Sequence, residues 1–208
     1  MLSSDSSLTR PGLREGRQSS TAKAETLLQA SRRVDWRFLL PDPNLGQVAY
    51  LGPARGSLCD SLRLFSAGLT VIESPQAPNA VQYDVVVASN PSPDAFRLAA
   101  PLVRPAGFLY AEIHQRWPGH RRNPAEDTAV LKGLGFAQAE AYWHWPNFEG
   151  CMEIVPLSDP AALRHALNRR RSDLAARAKA LLGHGLLRSG GLALLIPCFS
   201  VVGQRSAA

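Results

Sequence analysis

Two short stretches, QVAYLGPARGS at residues 47–57 and LTVIES at 69–74, decide how this chain folds. In the first, Gln47 to Leu51 form an apolar run that reads as a buried strand, and Gly52-Pro53 closes it. Ser57 can cap a helix that carries Leu58, Leu62, Leu64 and Phe65 at helical spacing. The second stretch is another strand and ends in an acid, Glu73, seventeen residues after Gly56. Small residues at a strand–helix turn let the backbone approach a ligand, and the helix start offers unpaired N–H groups. A carboxylate at the end of the neighbouring strand can accept hydrogen bonds from two ribose hydroxyls. The bland alternative is that Gly52 and Gly56 only permit a tight turn and Glu73 is a solvated loop residue.

The alternation continues outward in both directions. In YDVVVASNP at 83–91, residues 83–88 are a third strand ending in Ser89-Asn90-Pro91, 94–103 a helix, and 104–107 a turn into the strand 108–113. A polar loop covers 114–124, a helix 124–134 and a strand 136–145, with pairing resumed at 153–155. Residues 159–182 form a long helix with Leu163, Leu167, Leu174 and Leu181 on one face, and 192–202 is the last strand. Near-continuous apolar strands separated by helices predict a doubly wound α/β fold with a mostly parallel sheet covered on both sides. On the N-terminal side, residues 1–31 read as a flexible leader, with a short helix from about 22 to 33, and residues 32–208 as a single domain.

Composition narrows the function classes. Of 208 residues, 45% are hydrophobic, enough for a packed core, and no apolar run reaches the roughly 18 residues of a membrane span. Cys59, Cys151 and Cys198 lie far apart and form no CxxC or Cys/His pair, so neither a disulfide framework nor a metal site is indicated. The expectation is a soluble, cytoplasmic protein. The net charge of +6 sits on the periphery. Residues 1–33 hold six basic against three acidic groups and 159–182 six against two, whereas 34–158 hold nine against twelve. A nucleic-acid enzyme concentrates positive charge at its cleft, so that class is disfavoured. The basic helix 159–182 is a candidate surface for a protein partner, or simply a solvated outer face.

Across residues 35–205 the order of segments resembles the class I S-adenosylmethionine-dependent methyltransferases. The resemblance rests on VAYLGPARGS, LTVIES, YDVVVASNP, LVRPAGFLYAEI, the segment from GF at 135–136 through YWHWPNFEGCMEIVPL, and ALLIPCFSVVGQR. It implies S-adenosylmethionine as cofactor, held by Leu51, Gly52, Ala54, Gly56, Glu73, Ser89 and Asn90, and methyl transfer to oxygen or nitrogen of a small-molecule substrate. Asn90-Pro91 is similar to the family's Asn-Pro-Pro-aromatic motif, with Ser92 for the second Pro. Asn90 and His114 are thus the catalytic candidates, and Trp143 and His144 the substrate-binding ones. Strand alternation would instead bury Trp143 and Trp145 on one face and leave His144 on the other.

Four departures matter. Tyr50 stands where the family has an acid, and Arg55 adds a cation beside the turn. Ala106 replaces a usual Gly at the turn into the fifth strand. Only ten residues separate Glu73 from Asp84, enough to cross back over the sheet but not to build the family's next helix, third strand and adenine-gripping loop. The third strand and its preceding helix should be missing, with an antiparallel strand at the C-terminus. This shortening keeps a second function open, a catalytically inactive accessory or interaction subunit.

Overall fold

A computed structural model of the chain describes residues 12–73, 81–115, 121–168, 183, 185–186, 191–194 and 196–207. Its frame is one seven-stranded sheet: β1 (Gln47–Leu51), β2 (Gly68–Ile72), β3 (Tyr83–Ser89), β4 (Val103–His114), β5 (Glu140–Trp145), β6 (Glu153–Pro156) and β7 (Cys198–Gln204). The spatial order is β2-β1-β3-β4-β7-β5-β6. β2, β1, β3 and β4 run parallel, and β7 is antiparallel to both β4 and β5. The helices are α1 (Gly12–Arg33), α2 (Ser57–Phe65), α3 (Pro93–Ala99), α4 (Pro124–Gly133) and α5 (Pro160–Asn168).

The shortened link after Glu73 has the expected consequence. β2 pairs with β1 alone and ends the sheet, and none of its five residues is fully buried. The C-terminal strand is antiparallel, also as expected. β6 extends the opposite edge, antiparallel to β5, where Met152 N–H donates to the Trp145 carbonyl at 2.8 Å.

Two apolar layers enclose the sheet, because strands buried on both faces need a partner on each. Ala49, Leu51, Val86, Ala88, Leu109 and Ala111 meet α3, α4 and α5 through Phe96, Leu131 and Leu163. Val48, Tyr50, Val85, Val87 and Tyr110 meet α2 and the 3-10 turn Asp35–Leu39 through Leu58, Leu62 and Trp36.

Several boundaries differ from expectation. α1 begins at Gly12 rather than near residue 22, so the expected leader 1–31 overlaps a helix for most of its length, residues 1–11 lying outside the described set. The last strand begins at Cys198, because Pro197 has no N–H for a ladder, and 191–194 form a 3-10 turn. β5 starts at Glu140, with Phe136 making one isolated bridge to Arg205. The 104–107 segment is a bulge within β4, so that Tyr83 pairs with Val103 but Val85 with Phe108. Of the basic helix 159–182, α5 is described through Asn168; residues 169–182 lie outside the described residues.

Candidate functional site at the carboxyl ends of the strands

The chain leaves β1 for β2 on one side and β3 for β4 on the other, so the strand order reverses between β1 and β3. In open α/β sheets that reversal makes a ligand crevice beyond the carboxyl ends. Leu51 pairs with Ile72 and with Ala88, which brings the residues that follow, Gly52, Glu73 and Ser89, to the same end of three adjacent strands. Leu51 itself is buried, Gly52, Ala54 and Ser89 are half-buried, and Gly56, Glu73 and Asn90 are exposed. Arg55 is exposed too.

The two glycines are required for different reasons. A Cβ on Gly52 would lie 2.6 Å from Tyr50 Oη and 3.0 Å from Ser89 Cβ. The Tyr50 phenol therefore lies over the first glycine and bonds Ser89, and burial pushes its pKa up. Gly56 has φ +137°, disfavoured for other residues, and faces open space. It is also the residue that caps α2; Ser57 is the first helical residue, and its hydroxyl donates to Glu149 Oε1 at 2.7 Å instead of capping.

Asn90 is held with φ +48°. Its N–H donates to the Glu112 carbonyl at 2.7 Å, and its side-chain oxygen accepts from the His114 N–H at 3.3 Å. The two catalytic candidates are thus neighbours, with the Asn90 amide oxygen engaged in fixing the loop after β4. The His114 ring is exposed and meets the edge of Phe148 at 5.0 Å between centroids.

Beside this crevice lies a chamber that the sequence did not disclose. Arg33, the last residue of α1, donates from Nη1 and Nη2 to the two carboxylate oxygens of Glu112, each at 2.6 Å. Its Nε reaches Ser57 Oγ and Glu149 Oε1, both at 3.2 Å. Trp36 stacks on Tyr110 at 3.8 Å and 8°, and Tyr110 Oη donates to Glu112 Oε1 at 3.1 Å. Desolvation works against the Arg33 charge, but the hydrogen bonds and charge of Glu112 outweigh it and the guanidinium pKa is raised. Phe148 and His144 complete the wall; His144 Nε2 is 2.8 Å from Ser200 Oγ. Burial, reinforced by the Arg33 charge, lowers the His144 pKa to about 3, so this imidazole is neutral at physiological pH. The space left among Trp36, Tyr110, His144 and Phe148 is about 10 Å³. A cavity of about 450 Å³ opens outward from Arg33, between α1, the start of α2 and residues 149–152.

The substrate-binding candidates separate. His144 stands on the chamber side but is buried rather than exposed, while Trp143 lies in the opposite core with α3 and α4. Arg33 and Glu112 escaped sequence reasoning. The available signal was a lone acid in the otherwise apolar run Phe108 to Ile113, and a cation directly before Val34 and Trp36. Among the described residues, no group of His, Cys, Asp and Glu could hold a metal, and no helix is long and apolar enough to cross a membrane.

No family model and no curated protein matches the chain. Solved structures with a similar chain path include a phosphoethanolamine N-methyltransferase 2 from Haemonchus contortus, at 10% identity and TM-score 0.46 over 88% of this chain. The chain spans 53% of that enzyme. A S-adenosylmethionine-dependent methyltransferase from Archaeoglobus fulgidus is similar at 13% identity and TM-score 0.47, covering 86% of this chain and 93% of its own. One from Geobacter sulfurreducens, in complex with S-adenosylhomocysteine, is similar at 12% identity and TM-score 0.35, covering 86% and 89%. The strand order of the chain itself, with its reversal at β1 and β3 and its antiparallel β7, is that of an open, doubly wound, Rossmann-like mixed α/β sheet.

Proposed function

We propose that this protein binds S-adenosylmethionine in the crevice at the ends of β1, β2 and β3 and transfers its methyl group to oxygen or nitrogen of a small molecule, in the cytoplasm. The observation that supports this most is Glu73. It stands exposed beside the Gly52–Gly56 turn, and its carboxylate forms no hydrogen bond or ion pair with the described residues. It is free to accept from both ribose hydroxyls. Leu51, Gly52 and Ala54 would back the methionine part, with Tyr50 narrowing that side, and Gly56 opens the start of α2. Ser89 and Asn90 would close the side toward β4. The fit is incomplete at the adenine, whose usual third-strand wall is missing.

When bound, the cofactor supplies an electrophilic methyl group. The contribution of the chain is to orient and to exclude water, which can supply a large share of such a displacement's rate. A metabolite-sized acceptor is consistent with the cavity of about 450 Å³ beside α2. Calorimetric titration with S-adenosylmethionine and S-adenosylhomocysteine tests the reading. Saturable heat is expected, and its absence at millimolar ligand would sink it.

One observation favours a second function, that of an inactive accessory subunit. The Arg33–Glu112 pair and the Trp36–Tyr110 stack fill the floor where an acceptor would sit. Such a subunit would use its shortened sheet edge and the basic stretch 159–182 to meet a partner. Cofactor binding without methyl transfer to any of a broad panel of amines and alcohols would favour it.

A further inference from the structure

The chamber that Arg33 fills is built for a cation. Glu112 is fully buried at the carboxyl end of β4, and a buried carboxylate is tolerated only with a charged or hydrogen-bonding partner. Tyr110 donates to Glu112, Trp36, Tyr110, Phe148 and His144 line the space around the Arg33 side chain that pairs with it, and the Arg33 guanidinium carbon lies 5.7 Å from the Phe148 ring centre. The neutral His144 adds no repulsion.

Arg33 is the last residue of α1, whose residues 23–29 are all exposed, and it enters the chamber from outside the sheet as a side chain that a ligand cation could replace. The chamber and the cavity leading to it are bordered by Asp35, Asp60 and Glu149, and, Arg33 aside, Arg32 is the one cation among the described residues lining either space. Glu112 lies behind the Arg33 guanidinium and the Tyr110 hydroxyl, and loss of the Arg33 side chain would expose it. Asp60 keeps its surface pair with Arg63 in that case. The remaining balance is negative, and the walls are aromatic.

We propose that Glu112 and its aromatic walls bind the cationic head of the acceptor, an amine whose ammonium or guanidinium takes the place of the Arg33 side chain, while a separate neutral oxygen or nitrogen of the same molecule attacks the methyl carbon, displaces the thioether and gives its proton to solvent. This rests on the methyl-transfer reading for the word acceptor, but not for the site itself. An amine reaching Glu112 through the cavity lies beside Ser89 and Asn90, because Glu112 pairs with Ser89 across β3 and β4. Arg33 competes for the carboxylate, so the free protein is closed and the ligand opens it.

The test uses the full chain without cofactor, so that a failure of cofactor binding leaves its outcome intact. The probes are phenethylamine and its neutral analogue 2-phenylethanol, followed by tryptophan fluorescence and thermal melting at constant ionic strength. Wild-type protein should bind the amine at least tenfold tighter than the alcohol. Arg33→Ala should bind the amine tenfold or more tighter than wild type, because its competitor is gone. Should Arg33→Ala fail to fold, Arg33→Lys, which cannot form the two-pronged pair, should show a smaller gain in the same direction. Glu112→Gln should bring the amine-to-alcohol ratio close to one. Equal binding of both probes by wild type, weaker amine binding in the Arg33 variants, or an amine preference that survives Glu112→Gln would each overturn the proposal.

Discussion

Arg33 and Glu112 join two elements 79 residues apart through a two-pronged ion pair, both contacts at 2.6 Å, with side chains 7% and 0% exposed. Because Arg33 also donates to Ser57 and Glu149, a single guanidinium fastens α1 to β4, to the start of α2 and to the loop after β5. Such a pair gains little over well-packed apolar residues, since both charges lose their hydration. Breaking half of it is another matter. Arg33→Met, which keeps most of the stem volume, should cost about 3–5 kcal/mol in urea unfolding by leaving Glu112 buried and alone. The double variant Arg33→Met/Glu112→Met should recover most of that loss. A double variant no more stable than the single one would mean that packing, not charge, fixes the end of α1.

His144 makes stability depend on pH. Its pKa falls from 6.5 to about 3 through burial and the nearby Arg33 charge. Between those values the unfolded chain binds a proton that the folded chain refuses, so stability declines as pH is lowered through that window, by about 1.4 kcal/mol per pH unit at most. His144→Gln removes the titration while keeping a group able to bond Ser200. From pH 6.5 to 5, wild type should lose about 2 kcal/mol more than His144→Gln in urea unfolding. Parallel losses in the two proteins would show that His144 is protonated in the folded state.

Much of the sheet was legible because strands covered on both faces must be apolar along their buried length, as in Val85 to Ala88 and Phe108 to Ala111. The shortened sheet edge followed from the resemblance together with chain length, since ten residues between Glu73 and Asp84 are too few for the helix and strand that the resembled family places there. Glu73 and the Gly52–Gly56 turn were legible as neighbours because one βαβ unit contains both. The chamber was not, because the pairing of Arg33 with Glu112 depends on where α1 docks, and nothing local records that. The reason for Gly52 was hidden in part likewise, since the Ser89 side chain beside it arrives from β3. Ser57 has the right residue type for a cap but lies one position too late, and Glu149 takes its hydroxyl.

Ala106 is a place where the chain carries strain. It is exposed, with φ +60°, in the bulge of β4, a conformation that costs a non-glycine residue about 1 kcal/mol. Ala106→Gly should therefore stabilise the fold by about 0.5–1 kcal/mol, the relief being partly offset by the greater freedom of glycine in the unfolded chain. A rise in the urea midpoint with unchanged slope is the expected result; a fall would mean that the bulge is relaxed in solution.

Gly46 carries the opposite constraint. It has φ +62°, and a Cβ there would run into the Asp84 carboxylate, which accepts from the Gln47 N–H at 2.6 Å and pairs with Arg104 at 2.7 Å. Gly46→Ala should cost about 1–2 kcal/mol in backbone strain, and more as Asp84 is pushed off the Gln47 amide at the start of β1. Gly46→Ala/Asp84→Ala relieves the collision but not the strain, so it should fall below Asp84→Ala by the strain alone, about 1–2 kcal/mol, a smaller gap than Gly46→Ala shows against wild type only if the collision adds a cost of its own. Thermal melting of the set separates the two contributions.

Glu73 bears most directly on the cofactor. It ends the edge strand β2, exposed and without a partner among the described residues, so replacing it removes no contact that holds the fold together. Glu73→Ala should leave the urea midpoint within experimental scatter of wild type. It should nevertheless weaken S-adenosylhomocysteine binding by about 1.5–3 kcal/mol, the scale of hydrogen bonds to a charged group. Glu73→Gln, which keeps an acceptor but loses the charge, should fall between the two. Because the ribose hydroxyls are the proposed partners, 2′-deoxyadenosine analogues should lose less on going from wild type to Glu73→Ala than the parent nucleoside does. If wild type and Glu73→Ala bind S-adenosylhomocysteine equally, the carboxylate lies outside the site and any cofactor must be held by the β1–α2 turn alone.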